Sequence, residues 1–424
     1  MTFLEELAAR RRFGMKPGLD TIRALCAELG DPQKKFKAIH VAGTNGKGAV
    51  CAILDAVLGD VRMLECSNGR MRVGRYTSPH LVKINERFFL DGAPIDDAAL
   101  ERVAGRVNSN IRTFEHSDIT FFEALTAVAF ELYAEAKVDL AVLECGLGGR
   151  LDATNVCEPK LCVITKIGLD HCDWLGDTVE KIAVEKAGIV KPGVPVVLGK
   201  NDPTVRAVVE ARAKELGAPF HYAPDLADES EIPSDFPLLG SFNRENAVTA
   251  LAALKVLAGN QTIAENQTIK QSQIKQLSHV VWPGRFQKVG NFIVDGAHNP
   301  PAARALAESL ETQGFGPRTL NLVCGFCGDK DVNEVLSILA PFAKKGFAVR
   351  TNNPRSLSAE ETAAKMRAAG IDAEACGSLA DARRKAGGTT TVICGSLFLA
   401  GEALVELGAY PWGSVRYDPA EKLR

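Results

Sequence analysis

Gly43-Thr-Asn-Gly-Lys-Gly48 lies between the apolar segment Phe36 to Val41 and a stretch of helical composition, Ala49 to Leu58. The order is strand, glycine-rich turn, helix. In that arrangement successive backbone N–H groups and the helix dipole can surround phosphate oxygens while Lys47 neutralises charge. The general phosphate-loop pattern is met imperfectly: Val41 stands where its first glycine belongs, and Gly48 stands where Ser or Thr follows the lysine. On spacing alone, a phosphate cradle and a plain chain reversal both remain open.

The same alternation continues along the 424 residues. Short apolar runs recur at Leu140 to Leu143, Leu161 to Ile164 and Pro195 to Leu198, with helical stretches at Thr21 to Leu29, Phe121 to Ala136, Thr178 to Ala187 and Asn246 to Leu257. Buried parallel strands separated by helices predict an α/β fold. Val281-Trp-Pro-Gly-Arg285 breaks the pattern before a fresh α/β series at Phe292 to Asp295, Thr319 to Cys324, Gly346 to Arg350 and Thr390 to Cys394. Two domains follow, 1–283 and 284–424. The polar tract with Asn260-Gln-Thr-Ile263 repeated as Asn266-Gln-Thr-Ile269 is expected to be a surface insertion.

A formal net charge of −2 argues against nucleic acid as the main partner and leaves small-molecule chemistry. No segment approaches the roughly 20 apolar residues of a bilayer span, and Met1 to Phe13 is amphipathic and Arg-rich, unlike a secretory leader. The eleven cysteines are scattered through apolar runs, which suits a reducing, cytoplasmic setting. Only Cys324-Gly-Phe-Cys327 has metal-like spacing, and with no second pair beside it structural thiols are expected.

Other apolar runs also end in polar groups. Leu140-Ala-Val-Leu-Glu144 delivers a carboxylate able to hold magnesium just before Cys-Gly-Leu-Gly-Gly149, and Ile164 to Asp170 delivers Asp170-His171. Open α/β sheets bind ligands at that edge. Asp295-Gly-Ala-His-Asn-Pro300 repeats the logic in the second series, although a lone histidine there, like Arg285 and Arg304, fits a structural role equally well. The residues themselves thus lead to a nucleotide-binding α/β enzyme using magnesium, and leave its substrate open.

As a set these motifs, with Tyr76-Thr-Ser-Pro-His-Leu81, Glu144 to Asn155, Glu185-Lys-Ala-Gly-Ile189 and Pro283-Gly-Arg-Phe286, resemble the folylpolyglutamate synthase and dihydrofolate synthase branch of the Mur ligase superfamily, in family order from about residue 14 to 331. The resemblance implies a P-loop-type ATPase domain with a parallel-rich sheet, a smaller Rossmann-like C-terminal domain, and an active site between them. It implies an ATP phosphate loop at Thr44, Asn45, Gly46, Lys47 and Gly48, with further ATP contacts at Asn246, Arg285 and Asp295. Magnesium, two ions in all, would involve Ser78, Glu144 and His171, and Lys186 would be carbamylated. Thr120, Phe121, Phe122 and Glu123, with Leu151, Asp152 and Ala153, match pteroate contacts, and Gly14 to Pro17 match a further segment.

The implied reaction activates a folate-type carboxylate as an acyl phosphate and joins it to the amine of L-glutamate, with His298 a possible proton acceptor. The chain is expected to be a monomer binding only small molecules. Departures are Ala49 in place of a family Ser or Thr, a poor match at Gly14 to Pro17, and the cysteines before Asp329-Lys-Asp331. The competing readings are a polyglutamate synthase without dihydrofolate synthase activity, a Mur-type ligase on another acceptor, and a non-catalytic nucleotide binder.

Overall fold

The computed structural model describes residues 18–60, 71–113, 119–259, 271–328 and 331–413. Gly14 to Pro17 and both Asn-Gln-Thr-Ile repeats lie outside them. The first unit is built on eight strands: β1 (Lys37–Ala42), β2 (Val73–Tyr76), β3 (Phe88–Leu90), β4 (Ala93–Pro94), β5 (Leu140–Glu144), β6 (Pro159–Ile164), β7 (Val196–Leu198) and β8 (Phe220–Tyr222). Their order across the sheet is β4-β3-β2-β5-β1-β6-β7-β8, parallel except for the β2-β3 and β3-β4 pairs. All five residues of β5 and the last five of β1 are buried, as expected of strands covered on both faces. The chain leaves β1 toward β2 on one side and later returns to β6 on the other. That reversal opens a crevice at the carboxyl end of β1, flanked by the ends of β5 and β6.

Helices α1 (Asp20–Glu28), α2 (Lys47–Leu58), α3 (Asp97–Thr113), α4 (Phe121–Glu135), α5 (Val179–Ala187), α6 (Pro203–Glu215) and α7 (Ser241–Gly259) cover this sheet. Helix α2 packs against the sheet and α7, and its face from Gly48 to Asp55 is wholly buried. On the other face α1, α3 and α4 close a second apolar cluster around Phe130 and Tyr133. The charged helices α3 and α6 and the β3-β4 hairpin go beyond the sequence expectation, because their polar faces dilute the apolar signal. Helix α7 starts at Ser241, five residues before the expected Asn246, so Asn246 sits inside the helix.

The second unit has strand order β13 (Ala373–Ala375), β12 (Ala343–Ala348), β11 (Leu320–Cys324), β14 (Thr391–Cys394), β10 (Phe292–Val294) and β9 (Gln287–Val289), antiparallel only between β9 and β10. Helices α8 (Pro300–Thr312), α9 (Val332–Leu339) and α10 (Ala359–Ala368) pack on one face; α11 (Leu379–Ala386) and α12 (Leu397–Glu406) pack on the other. Leu81 and Val82 of the first unit are buried in the cluster beneath α11 and α12. Nearby, the buried Glu86 carboxylate accepts from the backbone N–H groups of Leu81, Val82 and Lys83 and from the Tyr410 hydroxyl, each at 2.7 Å. Among the described residues, no helix is long and apolar enough to cross a membrane.

One buried ion pair braces α2 from beneath. Arg75 on β2 lies 3.5 Å from Asp55 on α2, both side chains under 5% exposed, with the guanidinium 3.7 Å from the Phe89 ring centroid. Arg75→Met should therefore destabilise the protein by roughly 3–5 kcal/mol, by leaving the Asp55 carboxylate buried without its partner. The double change Arg75→Met with Asp55→Leu should recover most of that loss. Urea unfolding midpoints check both, and a single variant as stable as the parent would remove the pair from this account.

Candidate active site

A cavity of about 490 Å³ lies between the units at the crevice beside β1. The structure brings thirteen of the expected residues to its walls: Thr44, Asn45, Gly46, Lys47, Gly48, Ser78, Glu144, His171, Lys186 and Asn246 from the first unit, and Arg285, Asp295 and His298 from the second. Strand ends and loops supply most of them, and helices α2, α5 and α7 supply Lys47, Gly48, Lys186 and Asn246; parallel strands deliver their carboxyl ends to one edge of a sheet.

The phosphate turn is held by atoms that occupy the places where side chains would be. Thr44 N and Asn45 N donate to Lys166 O at 2.9 and 3.2 Å, and Thr44 Oγ1 donates to Gly168 O at 3.0 Å, tying the turn to the segment after β6. A Cβ on Gly43 would lie 1.9 Å from Thr165 Oγ1; one on Gly46 would lie 2.1 Å from Asn246 Oδ1; one on Gly48 would lie 2.2 Å from the Trp282 ring. Gly46 also has φ +88°, in the left-handed region. Since the first two loop amides are used internally, the amides left to face a phosphate are those at the start of α2. Lys47 Nζ folds onto the turn, donating to Gly43 O at 3.0 Å and Thr44 O at 3.2 Å.

Charge is concentrated just beyond the turn. Glu144, at the end of β5, is 3% exposed; Ser78 N donates to its Oε2 at 2.9 Å, and burial raises its pKa against the opposing pull of Lys47. Lys186, near the end of α5, is 4% exposed and donates from Nζ to Gly43 O at 2.7 Å. Burial, aided by repulsion from Lys47, lowers its pKa to about 7. Across the cleft, buried Asp295 accepts from Phe286 N and Ala297 N, both at 2.7 Å, and burial raises its pKa. The Nδ1–H of His298 donates to Gly296 O at 2.8 Å, so in the neutral ring Nε2 is the basic nitrogen.

None of the seven matched pteroate-contact residues lines this cavity. Thr120 and Glu123 form the capping box of α4: Glu123 N donates to Thr120 Oγ1, and Thr120 N and Oγ1 both donate to Glu123 Oε2. Asp152 accepts from the N–H groups of Gly146, Leu147 and Thr154 and from Thr154 Oγ1. These three polar side chains are engaged in local structure, and Asp152 fixes the Gly146-Leu147 wall of the cavity. Half-buried Phe121, Phe122 and Leu151 keep apolar surface exposed, while Ala153 is buried. The Phe122 ring lies under Gly146, where a Cβ would approach to 2.6 Å.

Several contributors were not among the expected site residues. Thr165 and Trp282 close on the turn, and Asn299 Nδ2 donates to Asp170 Oδ2 at 2.8 Å across the cleft while its Oδ1 accepts from Ala302 N to cap α8. Only Asn299, immediately before Pro300-Pro301, carried a sequence signal, that of a helix N-cap. Cys324 Sγ packs 3.9 Å from Cys394 Sγ on the paired strands β11 and β14, and Cys327 is buried as well.

Residues 284–397 match the family of the Mur ligase glutamate ligase domain. The chain is 34% identical over 378 residues to the dihydrofolate synthase/folylpolyglutamate synthase of Bacillus subtilis, covering 83% of this chain and 85% of that one. Among solved structures, E. coli FolC in complex with DHPP and ADP superposes with TM-score 0.82 at 28% identity, covering 96% of this chain and 98% of that one. A bifunctional folylpolyglutamate synthase/dihydrofolate synthase with Mn, AMPPNP and L-glutamate bound gives 0.80 at 29%, covering 96% and 98%.

Gly46→Ala should weaken ATP binding about 100-fold by pushing Asn246 and the turn apart. Gly92→Ala is the control: φ +83° imposes the same backbone strain, but open space surrounds the new Cβ. Calorimetric titration with ATP, alongside circular dichroism, checks this, and equal nucleotide affinity in both variants would contradict the close-packing account.

Proposed function

The chain belongs to the dihydrofolate synthase/folylpolyglutamate synthase family of Mur ligases, and we propose that it joins L-glutamate both to dihydropteroate and to the γ-glutamyl tail of reduced folates, using ATP. The observation that carries this reading is the convergence on one cavity of the phosphate turn, the Glu144 carboxylate and the Lys186 amine with Arg285, Asp295 and His298 of the second unit. On this reading the ATPase domain spans 1–283 and the glutamate-ligase domain 284–424.

A carboxylate resists attack by an amine because oxide is a poor leaving group. In the proposed mechanism the acceptor carboxylate takes the γ-phosphoryl group of ATP, ADP departs, the glutamate amine attacks the acyl carbon and phosphate leaves. The amides at the start of α2 and the Lys47 ammonium stabilise the phosphoryl oxygens, for which Lys47 exchanges its two backbone carbonyl partners for phosphate. Asn246, Arg285 and Asp295 hold the rest of the nucleotide.

The Glu144 carboxylate, the Ser78 hydroxyl and the His171 imidazole line the same cavity, and a carboxylate with a hydroxyl offers the oxygen donors that a hard divalent cation takes. Ser78, Glu144 and His171 would hold such ions, two magnesium ions in the reading favoured here, whose charge would screen the phosphates. The basic Nε2 of His298 accepts the proton that the glutamate amine loses. Phe121, Phe122 and Leu151 offer the apolar wall for a pteroate ring system. The cleft is completed by one chain, which supports a monomer, and thiols buried within apolar strands support a cytoplasmic setting.

Lys186 supports one modification. An amine with pKa near 7 has a large neutral fraction under physiological conditions, and that form attacks CO₂ to give a carbamate with loss of one proton. Isotopically labelled bicarbonate should yield a protein carbamate signal by NMR that grows as pH rises through about 7 and is missing in Lys186→Ala. A protein without signal at any pH would strike the carbamate from the mechanism.

Phosphate release with ATP, magnesium and glutamate should occur with dihydropteroate and with tetrahydrofolate. Turnover with tetrahydrofolate alone would reduce the assignment to a polyglutamate synthase, and turnover with neither would favour another Mur-type acceptor.

A further inference from the structure

His40 stands in the middle of β1, fully buried, three residues before the phosphate turn begins. It sits between Ile39 and Val41, in a strand whose burial suits apolar side chains, and no step of the ligase chemistry uses it. Its Nε2 lies 2.8 Å from Thr154 Oγ1 and 3.1 Å from Cys145 Sγ. Burial, together with the Lys191 charge, lowers its pKa to about 3. The ring is therefore neutral under physiological conditions and carries a single N–H.

The direction of each proton follows from the far end of the contact. Asp152 accepts from Gly146 N and Leu147 N through Oδ2, each at 2.9 Å, and from Thr154 N and the Thr154 hydroxyl through Oδ1. Four donors converge on it, so it acts as an acceptor only. The one hydroxyl proton of Thr154 is spent on that carboxylate, its oxygen is left to accept, and His40 must supply Nε2–H. His40 Nδ1, buried and without a partner among the described residues, is then the bare lone pair. A one-way chain thus runs from β1 through Thr154 and Asp152 to the amides of Gly146 and Leu147, which line the cleft. Gly146 in turn has the Phe122 ring packed beneath it.

We propose that His40 and Thr154 are positioning residues for the acceptor acid, acting through Asp152 to hold Gly146, Leu147 and the Phe122 ring where a pteroate ring system docks. The identity of the acceptor rests on the ligase reading above; the order of the protons does not. Without the Thr154 hydroxyl, Asp152 loses a charge-assisted hydrogen bond and the His40 N–H is left buried without its acceptor, so the bend from Gly146 to Thr154 loosens. The phosphate turn is held instead by Lys166 O and Gly168 O, outside this chain of contacts. The defect therefore falls on the acceptor and spares the nucleotide.

Two measurements on the full chain test this. With ATP, magnesium and glutamate, Thr154→Val should raise the KM for dihydropteroate about tenfold and leave the KM for ATP within about twofold of the parent, and Thr154→Ser should restore the first value. Thr154→Ala carries the same expectation where Thr154→Val does not fold. An unchanged dihydropteroate KM, an equal rise in both KM values, or a Thr154→Ser variant as impaired as Thr154→Val overturns the proposal. Nitrogen-15 NMR of the parent protein, with the His40 ring assigned by through-bond correlation, should show the neutral Nε2–H form from about pH 8 down to about pH 5. A ring in the Nδ1–H form, or one that gains charge near the ordinary histidine pKa of about 6.5, overturns it as well. The spectrum needs no turnover, so absent activity with either acceptor would sink the ligase reading while the proton order is still decided.

Discussion

Everything in the cleft depends on how closely the phosphate turn can be approached from behind. Three positions without a side chain allow Thr165, Asn246 and Trp282 to close on the backbone at distances that no Cβ would permit. The turn is thereby fixed by packing as well as by its hydrogen bonds to Lys166 and Gly168. A rigid cradle presents its amides already aimed, so nucleotide binding does not have to order the loop. The same closeness places the Lys186 amine on Gly43 O and near Lys47, and burial there, aided by repulsion from Lys47, lowers the basicity of Lys186.

The two units meet at the cleft and at an anchor beside it. Leu81 and Val82 belong to the first unit by sequence but are buried among side chains of α11, α12 and the second sheet. Glu86 fastens that segment by accepting three consecutive backbone N–H groups and the Tyr410 hydroxyl. The units also meet where Leu239 and Phe242 pack against the core beneath α8, and the Asp170 to Asn299 hydrogen bond crosses the cleft itself.

Much of this was legible in the sequence because its chemistry is local. A glycine-rich turn between strand and helix, or an apolar run ending in Glu144 or Asp295, declares its position in the fold, and the cleft gathers all of them. Contacts made across long separations carried no such sign: nothing near Thr165 or Trp282 indicates that each fills the space above a glycine more than 100 residues away. Thr120 and Glu123 are the opposite case. Their spacing of three before an apolar helix is a capping-box signature visible in the sequence, and the structure forms that box at the start of α4. The hairpin β3-β4 and the charged helices α3 and α6 escaped because a short or strongly polar element gives a weak periodic signal.

The support behind the turn also bears on the order in which the chain can become functional. A ribosome delivers residues from the amino terminus, and a domain folds once its own partners have emerged. The strand, turn and helix around Lys47 are made early, but Asn246 and Trp282 arrive some 200 residues later. A nascent chain long enough to contain the whole first sheet therefore has Thr165 in place but still lacks Asn246 and Trp282 behind its nucleotide cradle. During that interval the first unit takes its topology with its nucleotide cradle only partly supported.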